Sequence, residues 1–372
     1  MIEIQEVKTR KQIKEFIEFP LRLYKDCPYF VPPLYGDEKK MFKKNFVYSD
    51  TCEYICFIAV ENGKTVGRIN AIIQKASNEI RNEKRVRFTR FDCVDDARVS
   101  SALFDAASSW AKQRQMTEIV GPLGFSDLER EGLLIEGFDQ ISTFEEQYNY
   151  EYYARLIEDY GFEKEVDWVE HKIYAPDVPD DKLIRVSSMM LERYGLKIAN
   201  CPTTKEFLAR YADKFFDLLD RTYADIYGTV PFTENMKKMM LDNFGLILDK
   251  KNITLVVDKD DNVVCLGICF PSIGKALQKS GGRLTLPAIF RVLKAARHSK
   301  VFDLGLVGVD PEYAMKGVSS TVMAELMKNL CYGGIEYYET NLNLEDNTHI
   351  INQWRRFKAI QHKRRRAYVK KI

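Results

Sequence analysis

Residues 306–321 read Leu306-Val-Gly-Val-Asp-Pro-Glu-Tyr-Ala-Met-Lys-Gly-Val-Ser-Ser-Thr321 and hold the most informative pattern in the chain. The apolar residues predict a strand that ends at Val309, then a turn that contains Pro311, then a helix that starts near Gly317. Free N–H groups at a helix start attract phosphate, and a glycine lets a ligand approach the backbone. The pattern indicates an anion site, although a plain strand-to-helix turn with a packing glycine fits the same residues.

The elements upstream of this stretch follow an order that the second half repeats. Asn62-Gly63 lies between two alternating runs and predicts a hairpin. Asn149 is a candidate N-cap for a Tyr-rich helix that Gly161 ends. The first half predicts helices over 9–25, 96–113 and 149–160 and strands over 54–60, 65–73, 87–93, 119–120 and 168–174.

The second half gives helices, a hairpin, a strand, a helix, a strand, a helix and a strand again. A linker rich in proline and acidic residues, 175–181, separates the halves. We therefore predict an α/β (α+β) chain with one domain over 1–175, a linker and helix over 176–195, and a second domain over 196–372. The second half predicts helices over 204–226, 233–243, 315–330 and 347–358 and strands over 252–258, 262–270, 303–309 and 337–342.

The motifs of both halves resemble those of the GNAT superfamily of acyltransferases. Val309, Pro311, Gly317 and, loosely, Ser319 match the loop that holds the pyrophosphate of acetyl-CoA in that family, whereas Ala314 stands where the family has Arg or Gln. The stretches 149–162 and 347–368 look like two copies of the helix that follows in the family. The stretches 132–139, 223–231 and 282–284 resemble a bacterial group of tandem GNAT proteins.

The resemblance implies two tandem domains, each with a mixed, mostly antiparallel sheet flanked by helices. It also implies acetyl-CoA or another acyl-CoA as co-substrate and no metal. The first half has Asp92, Asp95 and Asp96 where its phosphate loop would lie, and these carboxylates would repel a diphosphate. We therefore expect the second half to hold the CoA, with a candidate site made of Val307, Val309, Lys316, Gly317, Val318, Ser319, Ser320 and Asn347.

Catalysis in the family is direct attack of an amine on the thioester, often with a tyrosine as proton donor. That tyrosine falls at Ile157 in the first half and at Trp354 in the second. Tyr153 lies one helical turn before Ile157 and is a candidate substitute, although a core aromatic fits equally well. Glu136 and Asp139 are candidate bases, and solvated loop carboxylates are the alternative.

Two basic segments are open to several interpretations. Residues 271–300 hold seven Lys or Arg and no Asp or Glu, with Ile289, Phe290 and Leu293 as an apolar face. This insertion fits a cap that attracts an anionic acceptor, a helix on a membrane surface, or an ordinary docked helix. The tail over 355–371 holds nine Lys or Arg. It fits an anion site or a solvated face, and nucleic-acid binding is not expected because the rest of the chain is net acidic.

Composition indicates a cytoplasmic protein. The eight cysteines form no CxxC pair, so we interpret them as reduced thiols, and the four histidines are far apart. The N-terminus has no signal pattern, and no apolar run is long enough to span a membrane. The main hypothesis is an acyl-CoA-dependent N-acyltransferase that transfers acetyl to an amine of a small molecule or peptide. The alternative is a non-catalytic CoA-binding or scaffold protein, and the sequence does not indicate the oligomeric state.

Overall fold

The computed structural model describes residues 1–245 and 247–372. A short 3₁₀ turn at Lys250–Asn252 precedes the second hairpin. In chain order the first elements are β1 (Ile2–Glu6), α1 (Arg10–Leu23), α2 (Tyr35–Lys40), β2 (Cys52–Glu61), β3 (Lys64–Gln74), α3 (Lys75–Arg81), β4 (Arg85–Cys93), α4 (Ala97–Lys112), β5 (Glu118–Gly121), β6 (Leu133–Glu136), α5 (Tyr152–Asp159) and β7 (Glu163–Tyr174). The remaining elements are α6 (Asp181–Arg193), β8 (Lys197–Ile198), α7 (Thr204–Tyr223), α8 (Glu234–Phe244), β9 (Ile253–Val257), β10 (Val263–Pro271), α9 (Gly274–Gln278), α10 (Leu286–Arg297), β11 (Val301–Val309), α11 (Pro311–Ala314), α12 (Ser320–Tyr332), β12 (Tyr337–Thr340), β13 (Asn343–Leu344), α13 (Thr348–Trp354) and β14 (Lys358–Lys371).

These elements form two compact units. Unit 1 comprises Met1–Val169, Ile273–Val292 and His362–Ile372, and unit 2 comprises Glu170–Ser272 and Leu293–Gln361. Strands β7 and β14 each contribute residues to both units. The segments 273–292 and 362–372 belong to unit 1, whereas the sequence analysis places them in the second domain. The predicted domain bounds stay a prediction.

Unit 1 contains a mixed, mostly antiparallel sheet with the strand order β1-β2-β3-β4-β5-β14, and β6 also pairs with β14. The predicted hairpin turn is present, because Asn62 and Gly63 have φ values of 49° and 74° and suit the primed turn that joins twisted strands. Strands β4 and β5 are parallel from Arg85↔Glu118 to Arg87↔Val120.

Helix α4 packs on this sheet at Gly67 of β3. A Cβ at Gly67 would lie 2.9 Å from a methyl carbon of Leu103 and 3.0 Å from one of Val99. Both side chains are fully buried. The glycine thus lets the helix approach the strand closely.

The predicted cap at Asn149 is wrong. Helix α5 begins at Tyr152 with Glu151 in the N-cap position and without a side-chain cap. The Asn149 side chain accepts a hydrogen bond from the Leu134 amide at 2.7 Å and donates one to the Leu134 carbonyl at 3.0 Å. It therefore holds strand β6 against the following loop instead of starting the helix, because a buried amide needs partners for both ends.

The basic insertion packs into unit 1 through its first half. Arg283 pairs with Glu18 at 2.8 Å, and the Gln278 amide donates to the Pro28 carbonyl at 2.8 Å. Gly282 has φ 74°, and a Cβ there would lie 1.9 Å from the Pro33 carbonyl oxygen. Only glycine allows this approach.

Unit 2 repeats this plan with the strand order β7-β12-β11-β10-β9-β8, and β13 pairs with β7. Its parallel pair is β11 with β12, from Val301↔Tyr337 to Leu304↔Thr340. Helix α12 packs on Gly267 of β10, where a Cβ would lie 2.5 Å from a methyl carbon of Val322. The predicted fold class, a mixed and mostly antiparallel sheet flanked by helices, is confirmed.

A bulge in the central strand is common to both units. In unit 1 the register of β3 and β4 shifts between Arg68 and Asn70, and Arg90 has φ 48°. In unit 2 the register of β10 and β11 shifts so that Gly305 has no partner. A bulge redirects the strand that carries it. No helix in the described parts of the chain is both long and apolar enough to cross a lipid bilayer.

Candidate functional site

The candidate site of unit 2 lies where strands β11 and β12 separate. Their parallel pairing ends at Leu304↔Thr340, and the Asn341 amide donates to the Leu304 carbonyl at 3.1 Å. Strand β11 continues to Val309 and pairs there with β10 from Gly267↔Val307 to Cys265↔Val309. The other edge of β11 therefore presents backbone groups to the opening between the two strands.

The hydroxyl of Tyr223, at the end of α7, engages that edge. It donates to the Val307 carbonyl at 3.0 Å and accepts from the Val307 amide at 3.3 Å. The Tyr223 side chain is half-buried. A phenol thus lies against a backbone N–H that could otherwise polarise a carbonyl. Sequence reasoning missed this residue as a site residue, although the stretch 223–231 had been noted for its resemblance.

The turn that follows β11 is open. Helix α11 covers Pro311–Ala314, and α12 begins at Ser320. The predicted start near Lys316 is therefore wrong, because Gly317 takes a left-handed φ of 73° that interrupts the helix. A Cβ at Gly317 would meet only Met190, at 3.9 Å. A side chain at Gly317 would therefore find space.

The backbone donors of this turn lie just before the helix. The amides of Ser320 and Thr321 donate to the Gly317 and Val318 carbonyls at 3.0 Å each. Among the described residues, the amides of Gly317, Val318 and Ser319 have no acceptor, and Ser319 makes no side-chain cap. Successive N–H groups of this kind next to a helix N-terminus suit an anion.

The other predicted cofactor residues differ in their placement. The Lys316 ammonium lies 4.5 Å from the ring centre of Tyr313 and 5.5 Å from that of Tyr194. Val318 is fully buried, and the Ser320 hydroxyl is buried without a hydrogen-bond partner in the described residues. Val309 is half-buried. Asn347 is exposed and caps α13 by accepting from the Ile350 amide at 3.3 Å.

The equivalent turn of unit 1 is paired by its own side chains. Asp96 caps α4 by accepting from the Arg98 amide at 2.8 Å, and the Arg98 guanidinium, which hydrogen-bonds its carboxylate, holds the pKa of Asp96 below its usual value. Asp95 pairs with Arg155. The helix dipole is thus complemented by a carboxylate of the chain, and a diphosphate would meet negative charge.

The predicted catalytic residues all belong to unit 1, and the structure does not bring them into one cluster. Tyr153 is fully buried; its hydroxyl accepts from the Tyr24 hydroxyl at 2.8 Å and from the Cys93 amide at 3.1 Å. Burial raises the pKa of Tyr153 well above its usual value. Glu136 is exposed and pairs with Arg364 at 3.3 Å. Asp139 is exposed and lines an open, tyrosine-rich cleft.

Two buried carboxylates of unit 2 were not singled out from the sequence. Asp303 of β11 faces Glu339 of β12 in the parallel register, one residue before the strands separate, and both are 3% exposed. The available signal was a charge inside the apolar run of β11. Buried carboxylates beside an opening in the sheet are candidates for acid–base chemistry.

No known family model matches the chain. Over 371 residues it is 26% identical to Protein YghO from Escherichia coli K12, covering 98% of this chain and 94% of that protein. It is 26% identical over 285 residues to a bacterial ceramide synthase from Caulobacter vibrioides, covering 75% of this chain and 72% of the relative.

Solved structures establish the fold. The whole chain matches 98% of a tandem GNAT protein from the clavulanic acid biosynthesis pathway, with a TM-score of 0.57 and 11% identity. It also matches 73% of a probable N-acyltransferase from Enterococcus faecalis V583, with a TM-score of 0.52 and 8% identity. The sheet with its opening parallel pair is that of a mixed α/β protein. The chain has the fold of the GNAT superfamily.

Proposed function

We propose that the chain is an acyl-CoA-dependent N-acyltransferase whose CoA site is in unit 2. The observation that carries the proposal is the open turn at Gly317–Ser319, with three amide donors that lack acceptors in the described chain. Backbone donors at a helix N-terminus suit a diphosphate. The opening between β11 and β12 would take the arm that joins the diphosphate to the thioester.

The reaction would follow from the groups at this opening. The amine nitrogen attacks the thioester carbonyl carbon, the C–N bond forms and the C–S bond breaks. Asp303 or Glu339 would take the proton from the amine, and Tyr223 would donate one to the leaving thiolate. The Val307 amide would polarise the thioester oxygen once the Tyr223 hydroxyl has moved from it. The products are an amide and free CoA.

The names of two similar proteins support transfer to nitrogen. The Enterococcus structure is called a probable N-acyltransferase, and the Caulobacter relative is named a ceramide synthase, whose product class is an amide. We extend the proposal to an amine acceptor with a long apolar part, in place of the small molecule or peptide that the sequence left open.

Gly317→Asp tests the CoA site. The new carboxylate would face the diphosphate, so we expect the Kd for CoA, measured by calorimetry, to rise at least 100-fold, about 2.7 kcal/mol. Gly334→Asp is the matched control, because Gly334 also has a positive φ (77°) in open space, beyond the other end of α12. Equal CoA affinity in the two variants would contradict the proposal.

Tyr223→Phe tests the proton donor. Removal of a general acid typically costs 10²–10⁴-fold, so we expect kcat to fall about 100-fold while the Kd for CoA changes less than threefold. An unchanged kcat would mean that the Tyr223 hydroxyl only contacts Val307 and does not donate a proton to the thiolate.

The second candidate, a CoA-binding protein without catalysis, is favoured by Ala314 and by the contact of Tyr223 with Val307. In that case wild type would bind CoA with the same dependence on Gly317. No amine from a panel of acceptors would then release free thiol from acyl-CoA.

A further inference from the structure

An apolar groove lies between the helix pair α7–α8 and the sheet of unit 2. Its empty space, counted together with the open mouth and the solvent in it, is about 580 Å³, and the part comparable with measured cavity volumes is about 50 Å³. The residues that line it are Phe207, Leu208, Tyr211, Ala212, Phe215, Phe216, Met240, Leu241, Phe244, Leu248, Ile253, Leu255, Ile268, Phe270 and Leu306.

The groove offers almost nothing to a polar ligand. Tyr211 has the one oxygen or nitrogen among the side chains that line it in the described chain, and this hydroxyl donates to Asp261 at 3.0 Å. Leu208, Phe215 and Phe244 are half-buried and Leu241 is exposed, so part of the wall faces solvent. A surface of this kind gains stability when an apolar chain covers it.

The groove and the candidate acyl site share two elements, β11 and α7. Leu306 lines the groove, and the next residue, Val307, is the one whose amide and carbonyl contact Tyr223. On α7, Phe215, Leu219 and Tyr223 follow at four-residue spacing and therefore share one side of the helix. The groove thus begins one residue along β11 from the backbone edge where the thioester would lie.

We propose that this groove holds the alkyl chain of a long-chain acyl-CoA. The inference rests on the proposed CoA site and replaces the acetyl group expected from the sequence with a long alkyl chain. Each methylene that enters such a groove would tighten binding by up to about fourfold. Short acyl groups would leave the apolar wall in water.

The test compares the Kd values of CoA, acetyl-CoA and palmitoyl-CoA, each below its micellar concentration. We expect palmitoyl-CoA to bind at least 100-fold more tightly than acetyl-CoA. Ala212→Trp would fill the groove and reduce this ratio at least tenfold. Ala209→Trp is the matched control, because Ala209 is exposed on the same helix and would keep the ratio.

The outcomes separate the two proposals. Equal Kd values for acetyl-CoA and palmitoyl-CoA would overturn the groove assignment and leave the CoA site standing. Absence of binding by all three ligands would overturn both. If Ala212→Trp unfolds, Leu208→Trp, at a half-buried position of the same wall, must reduce the ratio, and an unchanged ratio would again overturn the assignment.

An independent observation points to a membrane contact. Leu284, Leu286 and Phe290 are 44%, 75% and 73% exposed, whereas Ala288 and Val292 of the same helix are buried. The segment 271–300 that carries them holds seven Lys or Arg and no acid. Lys294 and Arg297 are exposed and follow Phe290 by about one and two turns of α10.

We infer that this face of α10 binds the surface of an anionic lipid bilayer. Exposed Leu and Phe would enter the interface between headgroups and acyl chains, and the basic residues would pair with lipid phosphates. The charge favours an anionic membrane over an apolar protein surface. This inference does not depend on whether the chain is an enzyme.

Sedimentation of the full chain with vesicles tests the inference. We expect binding to phosphatidylcholine vesicles that contain phosphatidylglycerol, at least tenfold weaker binding to phosphatidylcholine alone, and loss of binding in the double variant Leu286→Asp, Phe290→Asp. Ile80→Asp is the control, because Ile80 is an exposed apolar residue elsewhere. Equal binding by the double variant and by wild type, or no binding to anionic vesicles, would overturn the inference.

Discussion

The N-termini of α4 in unit 1 and α12 in unit 2 follow equivalent strands and have opposite chemistry. Asp96 caps α4 with its own carboxylate and is held by Arg98. Before α12, the chain places Gly317 at a positive φ and leaves the amides of residues 317–319 without an acceptor in the described chain. The same fold therefore provides one helix start that is already satisfied and one that can accept an anion.

The tyrosine contacts at the strands before these helices also differ, because the contact in unit 1 is buried and the one in unit 2 is half-buried. In unit 1, Tyr153 accepts from the Cys93 amide inside a closed core. In unit 2, the half-buried Tyr223 makes the contact with Val307 from the end of a helix. A buried contact is costly to break, whereas a half-buried hydroxyl can exchange for a ligand. This difference leads us to regard unit 1 as a structural copy and unit 2 as the binding copy.

The largest expected effect comes from a variant that gives the start of α12 in unit 2 a carboxylate, as Asp96 gives the start of α4 in unit 1. Ser319→Asp would place a carboxylate at the start of α12, where it favours the helix by a few tenths of a kcal/mol but repels a diphosphate. We expect the Kd for CoA to rise about 100-fold with no loss of thermal stability. The converse variant, Asp96→Ala, should cost about 1 kcal/mol of stability and leave the Kd unchanged. A matching drop in CoA affinity in Asp96→Ala would end the distinction between the units.

The next effect tests a feature that both units share, a glycine that lets a helix pack closely on the sheet. Gly67→Ala and Gly267→Ala each place a methyl group within 3.0 Å of a helix that packs on the sheet, so each should reduce the free energy of unfolding by about 1–3 kcal/mol. Chemical denaturation measures it. Gly36→Ala is the control, because a Cβ at Gly36 meets nothing within 4 Å. A neutral Gly267→Ala would show that α12 can move away from β10 without cost.

The sequence allowed the hairpins, the amphipathic α4 and the strand before Pro311 to be predicted, because each depends on local periodicity or turn chemistry. It misplaced the start of α12, since Gly317 in a helical pattern was not recognised as a left-handed break. It missed Tyr223, Asp303 and Glu339, because their significance depends on which strand edge they meet. The Asn149 error has the same origin: an N-cap and a partner for strand β6 use the same side chain, and only tertiary structure decides between them.

The last effect concerns two carboxylates of unit 1, the buried Glu38 and the half-buried Glu145. Burial would raise the pKa of Glu38, but Arg90 and Arg68 outweigh it and lower that pKa. Glu145 has no such compensation, and burial raises its pKa to about 7. If unit 1 is structural, the titration of Glu145 should affect stability and leave CoA binding unchanged. Because the folded state holds this proton more tightly than the unfolded chain, the stability it contributes is present below about pH 4.5 and lost as pH rises through about 7.

Glu145→Gln should remove this dependence. We expect the free energy of unfolding of the variant to rise relative to wild type between about pH 4.5 and 7, with a slope of up to about 1.4 kcal/mol per pH unit. Urea denaturation at several pH values measures the difference. Glu151→Gln is the control, because Glu151 is exposed. A pH-independent difference for Glu145→Gln would mean that the carboxyl reaches solvent, and a changed Kd for CoA would mean that unit 1 takes part in binding.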